Sequence, residues 1–245
     1  MGTLPGLLEA AGGFEVRRDA MVRELRRDRT GFVLTVGPTV AARRMRADAV
    51  VLAVPAAPAS RLLAELAPRA SALLSGIETA SVVVVTLAFR ASDLVGNDNL
   101  DGSLSGFLVP PSEGRRIKAG TFSFAKWEWV RDAGGGDVVH LRLSLGRHRQ
   151  EAAVRASDEE LVAWSRHDLG LATGLTAAPV ASHVQRWGGG LPQYAVGHLD
   201  RIAAVRAEIA SVPGLAVCGA SYDGVGVPAC IASAHRAVAD LRAGG

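Results

Sequence analysis

Short valine-rich runs alternate along this chain with stretches in which apolar residues recur every three or four positions, a pattern that predicts buried strands interleaved with amphipathic helices. Residues 3–11 read as a short helix with Leu4, Leu7 and Leu8 on one face, closed by Gly12-Gly13. "AMVREL" and "FVLTV" read as strands around a turn at "DRTG". After a turn at "GPT" and a short basic segment, "DAVVLAVP" is continuous enough to be buried on both faces. "APASRLLAELAP" predicts a helix, Pro68 starts another, and "TASVVVVTLAFR" returns as a core strand. Residues 91–115 read as loop, short strand and loop, with "SGFLVPP" as the strand. "RIKAGTFSFAKWEW" and "DVVHLRLSL" predict paired strands around a flexible "AGGGD". In "SDEELVAWSRHDLGLATG", Ser157 with Glu160 three residues on predicts a capped helix whose body ends before Gly170. "PVASHVQRW" then reads as a strand and "HLDRIAAVRAEIAS" as a helix.

The end of the chain has a sharper signature. Leu215, Ala216, Val217 and Cys218 form an apolar run after the Pro213-Gly214 turn. A helix begins near Pro228, with Ile231, Ala234, Val238 and Leu241 on one face. Between them "GASYDGVG" makes a strand, glycine turn and helix N-terminus. Such an end offers unpaired N–H groups, and Gly224 and Gly226 let a ligand approach the backbone. The pattern fits an anionic or carbonyl-rich cofactor, and equally a tight turn with no ligand.

Composition narrows the classes. With 245 residues and 49% hydrophobic content, the chain can build one large core or two modest ones. Its longest apolar runs fall well short of the roughly 20 residues a spanning helix needs, so no transmembrane segment is expected. The start lacks a basic stretch and carries Glu9, which predicts no signal peptide and a cytoplasmic location. The net charge is +3, and the arginines of "VRRDAMVRELRRDR" and "ARRMR" have acids among them. That predicts a solvated face rather than a nucleic-acid site, leaving a modest attraction for acidic small molecules or an anionic membrane. Cys218 and Cys230 lack metal or redox spacing and read as buried free thiols. No Gly-x-Ser-x-Gly elbow occurs, and His140, His148, His167, His183, His198 and His235 form no pair at metal-ligand spacing, so each reads as a surface or hydrogen-bonded histidine.

Residues 184–238, "VQRWGGGLPQYAVGHLDRIAAVRAEIASVPGLAVCGASYDGVGVPACIASAHRAV", closely resemble the C-terminal segment of the FAD-dependent protoporphyrinogen and coproporphyrinogen III oxidases, within the flavin amine oxidase superfamily. The likeness rests on "LPQY", "VGH", a long helix, "PGL" and "GASYDGVGVPACIASA" in that order. It extends upstream through "VRELRRDRTGFVLTV", "ADAVVLAVPAAPASRLL", "ASVVVVTLAF", "SGFLVPPSEGRRIKAGTFS" and "KWEW". The resemblance implies that the terminal turn lies over FAD. By position, Ala220, Val225, Gly226 and Val227 would meet the cofactor through the backbone, Val22 would meet its adenine end, and Trp187 would sit at the flavin's edge, or else be a core tryptophan.

The same resemblance implies a mixed α/β (α+β) chain in which a partial Rossmann-like FAD-binding domain, residues 12–58 and 184–245, interleaves with a mixed-sheet substrate domain, residues 76–183. The G-x-G-x-x-G loop that opens a dinucleotide-binding βαβ unit is absent from the sequence, so the chain is expected to correspond to a C-terminal half. The implied reaction is flavin-dependent, oxygen-using oxidation of coproporphyrinogen III or protoporphyrinogen IX. No side-chain acid or base is demanded by the sequence. Arg115, Arg116 and Lys118 are candidates for substrate carboxylates, or simply a solvated basic loop. Implied partners are the porphyrinogen, molecular oxygen, a homo-oligomeric or complementary N-terminal partner and a peripheral membrane surface. Two rival readings stand beside this one: a non-catalytic subunit that needs a separate half, and a related flavin amine oxidase.

Overall fold

A computed structural model of the protein describes residues 2–150 and 152–243. The chain begins with helix α1 (Leu4–Ala11), followed by strands β1 (Val22–Asp28), β2 (Gly31–Val36), β3 (Arg43–Ala47) and β4 (Val50–Leu52) and helices α2 (Ala56–Leu63) and α3 (Pro68–Ser75). Next come β5 (Thr79–Arg90), β6 (Gly106–Leu108), β7 (Ile117–Phe122), α4 (Ser123–Lys126), α5 (Glu128–Ala133), β8 (Val138–Leu145), α6 (Ala152–Arg155), α7 (Asp158–Thr173) and β9 (Ala181–Pro192). It ends with α8 (His198–Ile209), β10 (Leu215–Val217) and α9 (Val227–Ala243). The elements gather into two compact units. One takes residues up to Ile77 together with those from Tyr194 on, and the other takes Glu78–Gln193.

In the first unit β1, β2 and β3 form an antiparallel sheet, and β4 pairs in parallel with β10 in the register Val50↔Leu215, Val51↔Ala216 and Leu52↔Val217. Alternation along β10 sends its two faces to different helices, since successive strand side chains point opposite ways. Leu215 and Val217 join Ile202, Val205 and Ile209 of α8 and Leu62 and Leu63 of α2 in one core. Ala216 and Cys218 meet Ala237 of α9 on the other face.

The second unit is a five-stranded antiparallel sheet in the order β6-β7-β8-β5-β9. Val83, Val85, Leu87 and Phe89 alternate along β5 and are fully buried with Leu141, Leu143 and Leu145 of β8. Each such side chain contributes about 2 kcal/mol through removal from water. Helix α7 covers this face through Leu161 and Leu169. Its start is fixed by a reciprocal cap: the Glu160 N–H donates to Ser157 Oγ at 3.2 Å, and the Ser157 N–H to Glu160 Oε2 at 2.9 Å. Buried Asp168 accepts the N–H groups of Arg116 and Ile117 at 2.8 and 3.0 Å, tying α7 to the start of β7.

Several expectations need correction. The basic segment before "DAVVLAVP" is strand β3, because β2 has a second edge to pair and Ala47, Met45 and Arg43 stand opposite Phe32, Leu34 and Val36. The run "DAVVLAVP" yields only three strand residues, and Val51 is exposed, since the one strand that β4 pairs with among the described residues is β10. "RIKAGTFSFAKWEW" leaves the strand at Phe122 and turns helical, burying Ser123 and Phe124. Helix α7 runs through Gly170 to Thr173, and Gly174 at φ +80° closes it. Strand β9 continues to Pro192, paired along β5, so residues 184–193 belong with the second unit rather than with residues 12–58. Cys230 is only partly buried, because it sits near the start of α9 rather than in the core.

Candidate functional site

The parallel register of β4 and β10 puts their carboxyl ends side by side, and α2 and the turn 218–226 both depart from that end. In open α/β sheets this is the end at which ligands bind. Strand β10 closes on buried Cys218, whose thiol is pushed up by burial. The chain then enters Gly219 at φ +117°, a conformation that only glycine adopts without strain.

From there the turn is held from inside. Ser233 Oγ accepts the Gly219 N–H at 3.0 Å. Tyr194 Oη donates to the Ala220 carbonyl at 2.6 Å, and His198 Nε2 meets the Tyr222 carbonyl at 3.2 Å. Asp223 is gripped by Arg206 Nη1 at 2.9 Å and Arg236 Nη1 at 3.5 Å. The hydrogen bond from Arg206 holds the Asp223 carboxyl below the usual carboxylate range. Tyr222 is fully buried, its hydroxyl has no hydrogen-bond partner among the described residues, and burial pushes the phenol well above its ordinary range. Gly224 follows at φ +150°, where an added Cβ would lie 2.8 Å from Ala229 Cβ.

The outer side is open. Val225, Gly226 and Val227 are exposed, and a Cβ placed at Gly219 would meet nothing within 4 Å. At Gly226 the nearest atom would be Pro228 Cδ at 3.8 Å. Backbone N–H groups at the start of α9 therefore lie next to glycine positions that leave room for close approach, which suits a phosphate or a ring edge carrying carbonyls. The residues present fit a flavin dinucleotide: backbone donors, glycines that admit close approach, and a turn already fixed.

The other expected contacts lie in different places. Val22 is half-buried at the start of β1, opposite Val36, and lines a hollow of about 200 Å³ with Met21, Arg23, Pro58, Arg61 and Leu62. Pro58, Arg61 and Leu62 belong to α2, the helix that follows β4. Trp187 is on β9 in the second unit, opposite Val82 and more than half exposed, so it is not a core tryptophan. Arg115 and Arg116 serve α7: Arg115 Nη1 donates to the Asp168 carbonyl at 3.4 Å, and the Arg116 guanidinium lies 4.1 Å from the Trp164 ring centre. Lys118 is half-buried, and burial, helped by the nearby Arg147 charge, lowers its ammonium pKa. The sequence assigned no role to Tyr194, Arg206 or Ser233, and His198, read there as a surface or hydrogen-bonded histidine, is buried and hydrogen-bonded. The four-residue spacing of Tyr194 and His198 was the available signal.

The family model of the flavin-containing amine oxidoreductases matches residues 1–242. A protein of Mycobacterium tuberculosis H37Rv named coproporphyrinogen III oxidase is 41% identical over 247 aligned positions, which cover 94% of this chain and 49% of that protein. The Bacillus subtilis protein of the same name is 32% identical over 195 positions, covering 79% of this chain and 40% of its own length. A crystal structure of a "Putative protoporphyrinogen oxidase" from Exiguobacterium sp. 255-15 superposes with a TM-score of 0.83 at 29% identity, covering 99% of this chain and 51% of that one. The chain thus spans about half the length of the relatives it matches.

Proposed function

The chain belongs to the flavin-containing amine oxidoreductase family, and from that premise we propose that it forms part of a flavin-dependent porphyrinogen oxidase acting on coproporphyrinogen III. The observation that carries the reading is the turn Gly219–Val227, fixed by side-chain hydrogen bonds and exposed over Val225–Val227, at the carboxyl ends of a parallel strand pair. The names of the relatives support the choice of substrate. Oxygen is the proposed electron acceptor.

Val225, Gly226 and Val227 hold the cofactor through their backbone, Ala220 borders it, and Val22 meets its adenine end from the hollow at β1. Trp187 borders the flavin ring. FAD supplies the redox chemistry when bound. The protein's share is to orient the cofactor and keep water from it, which demands position rather than a side-chain base. Lys118, with Arg147 nearby, is the cation pair proposed for substrate carboxylates within the second unit. Residues up to Ile77 with those from Tyr194 on form the proposed flavin-binding unit, and Glu78–Gln193 the proposed substrate unit. No described helix is long and apolar enough to cross a membrane. We place the reaction in the cytoplasm, with any membrane contact peripheral.

The test is a titration of the purified chain with FAD, alone and mixed with a complementary flavin-domain fragment, reading the flavin spectrum and then porphyrin fluorescence from coproporphyrinogen III and protoporphyrinogen IX. A perturbed flavin spectrum with faster appearance of coproporphyrin supports the reading. A spectrum identical to free FAD in both preparations overturns it, and preference for protoporphyrinogen IX overturns the choice of substrate.

A further inference from the structure

Tyr194, in the loop before α8, and His198, its first residue, lie four residues apart across Gly197 at φ +80°, and stack face to face with ring centres 3.8 Å apart and planes within 13°. Both rings send their polar atoms to the same loop. Tyr194 Oη donates to the Ala220 carbonyl, and His198 Nε2 reaches the Tyr222 carbonyl two residues on. One stacked pair therefore holds two backbone carbonyls of the turn, while Val225, Gly226 and Val227 stay exposed.

These bonds have a directional consequence. A carbonyl committed to Tyr194 or His198 points toward that ring, and in a tight turn the orientation of one peptide plane sets that of the next. With the Ala220 and Tyr222 carbonyls fixed, the following peptides have little freedom to flip, and a ligand does not have to order them on arrival. The stack limits the motion of each ring: Tyr194 is only partly covered by protein, while His198 is 5% exposed.

We propose that Tyr194 and His198 are positioning residues which act as a stacked clamp, presetting the turn Gly219–Gly226 for the flavin cofactor. They touch the turn and act on the cofactor through it. The inference rests on the proposed flavin role of that turn.

Hydrogen exchange on the flavin-free chain tests the clamp without relying on that role. Tyr194→Phe removes one hydroxyl and keeps the stack. His198→Leu removes the second donor, and His198→Gln restores a donor near the Nε2 position. Losing one hydrogen bond of ordinary net strength raises exchange of the 219–226 amides about fivefold in Tyr194→Phe and His198→Leu. Amides of α7, in the other unit, stay at wild-type rates, and His198→Gln recovers most of the protection. Unchanged exchange at 219–226, or loosening spread evenly over the whole unit, overturns the clamp.

FAD titration of the same variants separates the two ideas. Weakening of about fivefold in Tyr194→Phe, with a shifted flavin absorption band, supports positioning of the cofactor. Raised exchange with unchanged FAD affinity and spectrum overturns it. Absence of flavin binding in every preparation, wild type included, overturns the flavin reading of the turn and with it the clamp's role toward flavin, leaving only the ordering of the turn to be decided by exchange.

Discussion

Arg206 on α8 and Asp223 in the glycine turn face each other as a two-point pair, with Nη1 2.9 Å from Oδ1 and the second guanidinium nitrogen on the other carboxylate oxygen. The bond crosses 17 residues of sequence and joins a core helix to the loop after β10. Both side chains are largely covered, at 22% and 24% exposure, so the pair is worth more than a surface ion pair and less than a fully buried one. Arg206→Ala is expected to lower stability by about 1.5 kcal/mol. Asp223 titrates below its ordinary value in the folded protein because Arg206 bonds its charged form. Its contribution is therefore complete above about pH 4 and fades as the pH falls through the folded value. Urea unfolding followed by circular dichroism should show the wild-type advantage over Arg206→Ala shrinking below that pH, and a constant gap down to pH 2.5 would contradict the assignment.

Tyr222 presents the opposite case: a hydroxyl sealed in the core beside Leu52, Val205 and Val217 with nothing among the described residues to bond. An unmet buried hydroxyl costs about 1–3 kcal/mol. Tyr222→Phe should thus stabilise the protein by about 1 kcal/mol at neutral pH. Because burial raises the folded phenol above its unfolded value, wild type also loses stability as the pH climbs past about 10, and this substitution removes that loss. Urea midpoints at pH 7.5 and 10.5 give both comparisons. A variant less stable than wild type at pH 7.5 would reveal a partner for the hydroxyl.

What the sequence disclosed depended on the range of the interaction. Helix α7 was legible because Ser157 and Glu160 act within one turn, and β5 because its own apolar run, with four consecutive valines, marks a buried strand. The starts of β10 and α9 were marked by Pro213-Gly214 and Pro228. β3 was hidden, since arginines on an exposed edge look like a loop until β2 is seen to need a neighbour. The break after Phe122 was hidden as well, because it follows from packing of Phe122 against Phe107 and Phe124 rather than from a local breaker. At the site, Gly219, Gly224 and Gly226 were visible as glycines, whereas Arg206 and Ser233 reach the turn from 17 and 14 residues away.

Gly224 combines two constraints that a substitution can separate. Its φ of +150° disfavours any side chain, and a Cβ there would press on Ala229 Cβ at 2.8 Å. Gly224→Ala should cost about 2 kcal/mol, part strain and part collision. Pairing it with Ala229→Gly removes the collision and leaves the strain, so the double variant should recover stability relative to the sum of the single changes. Strict additivity in thermal unfolding would show that the two residues do not meet.

The Ser157 cap offers a clean probe of the second unit, because Trp127, Trp129, Trp164 and Trp187 all lie there. Ser157→Ala leaves the Glu160 N–H without its partner and should cost about 1 kcal/mol. Tryptophan fluorescence should report the earlier unfolding, while amides of the first unit keep their exchange rates. Equal loosening of both units would mean that they unfold as one body.

Helix α1 carries the plainest association signal. None of its residues is buried, and Leu7 and Leu8 are 64% and 56% exposed. Phe14 and Met21 add exposed apolar surface in the same N-terminal stretch. Large apolar side chains in one short segment favour contact with another apolar surface over water. The purified chain is therefore expected to self-associate at rising concentration, and Leu7→Glu combined with Leu8→Glu should shift it toward monomer without a change in thermal midpoint, since neither side chain supports the core. Sedimentation velocity across a hundredfold concentration range reads the outcome. A wild-type chain that stays monomeric throughout would show that this helix is content in water. A double variant that loses folded signal would show instead that Leu7 and Leu8 are structural.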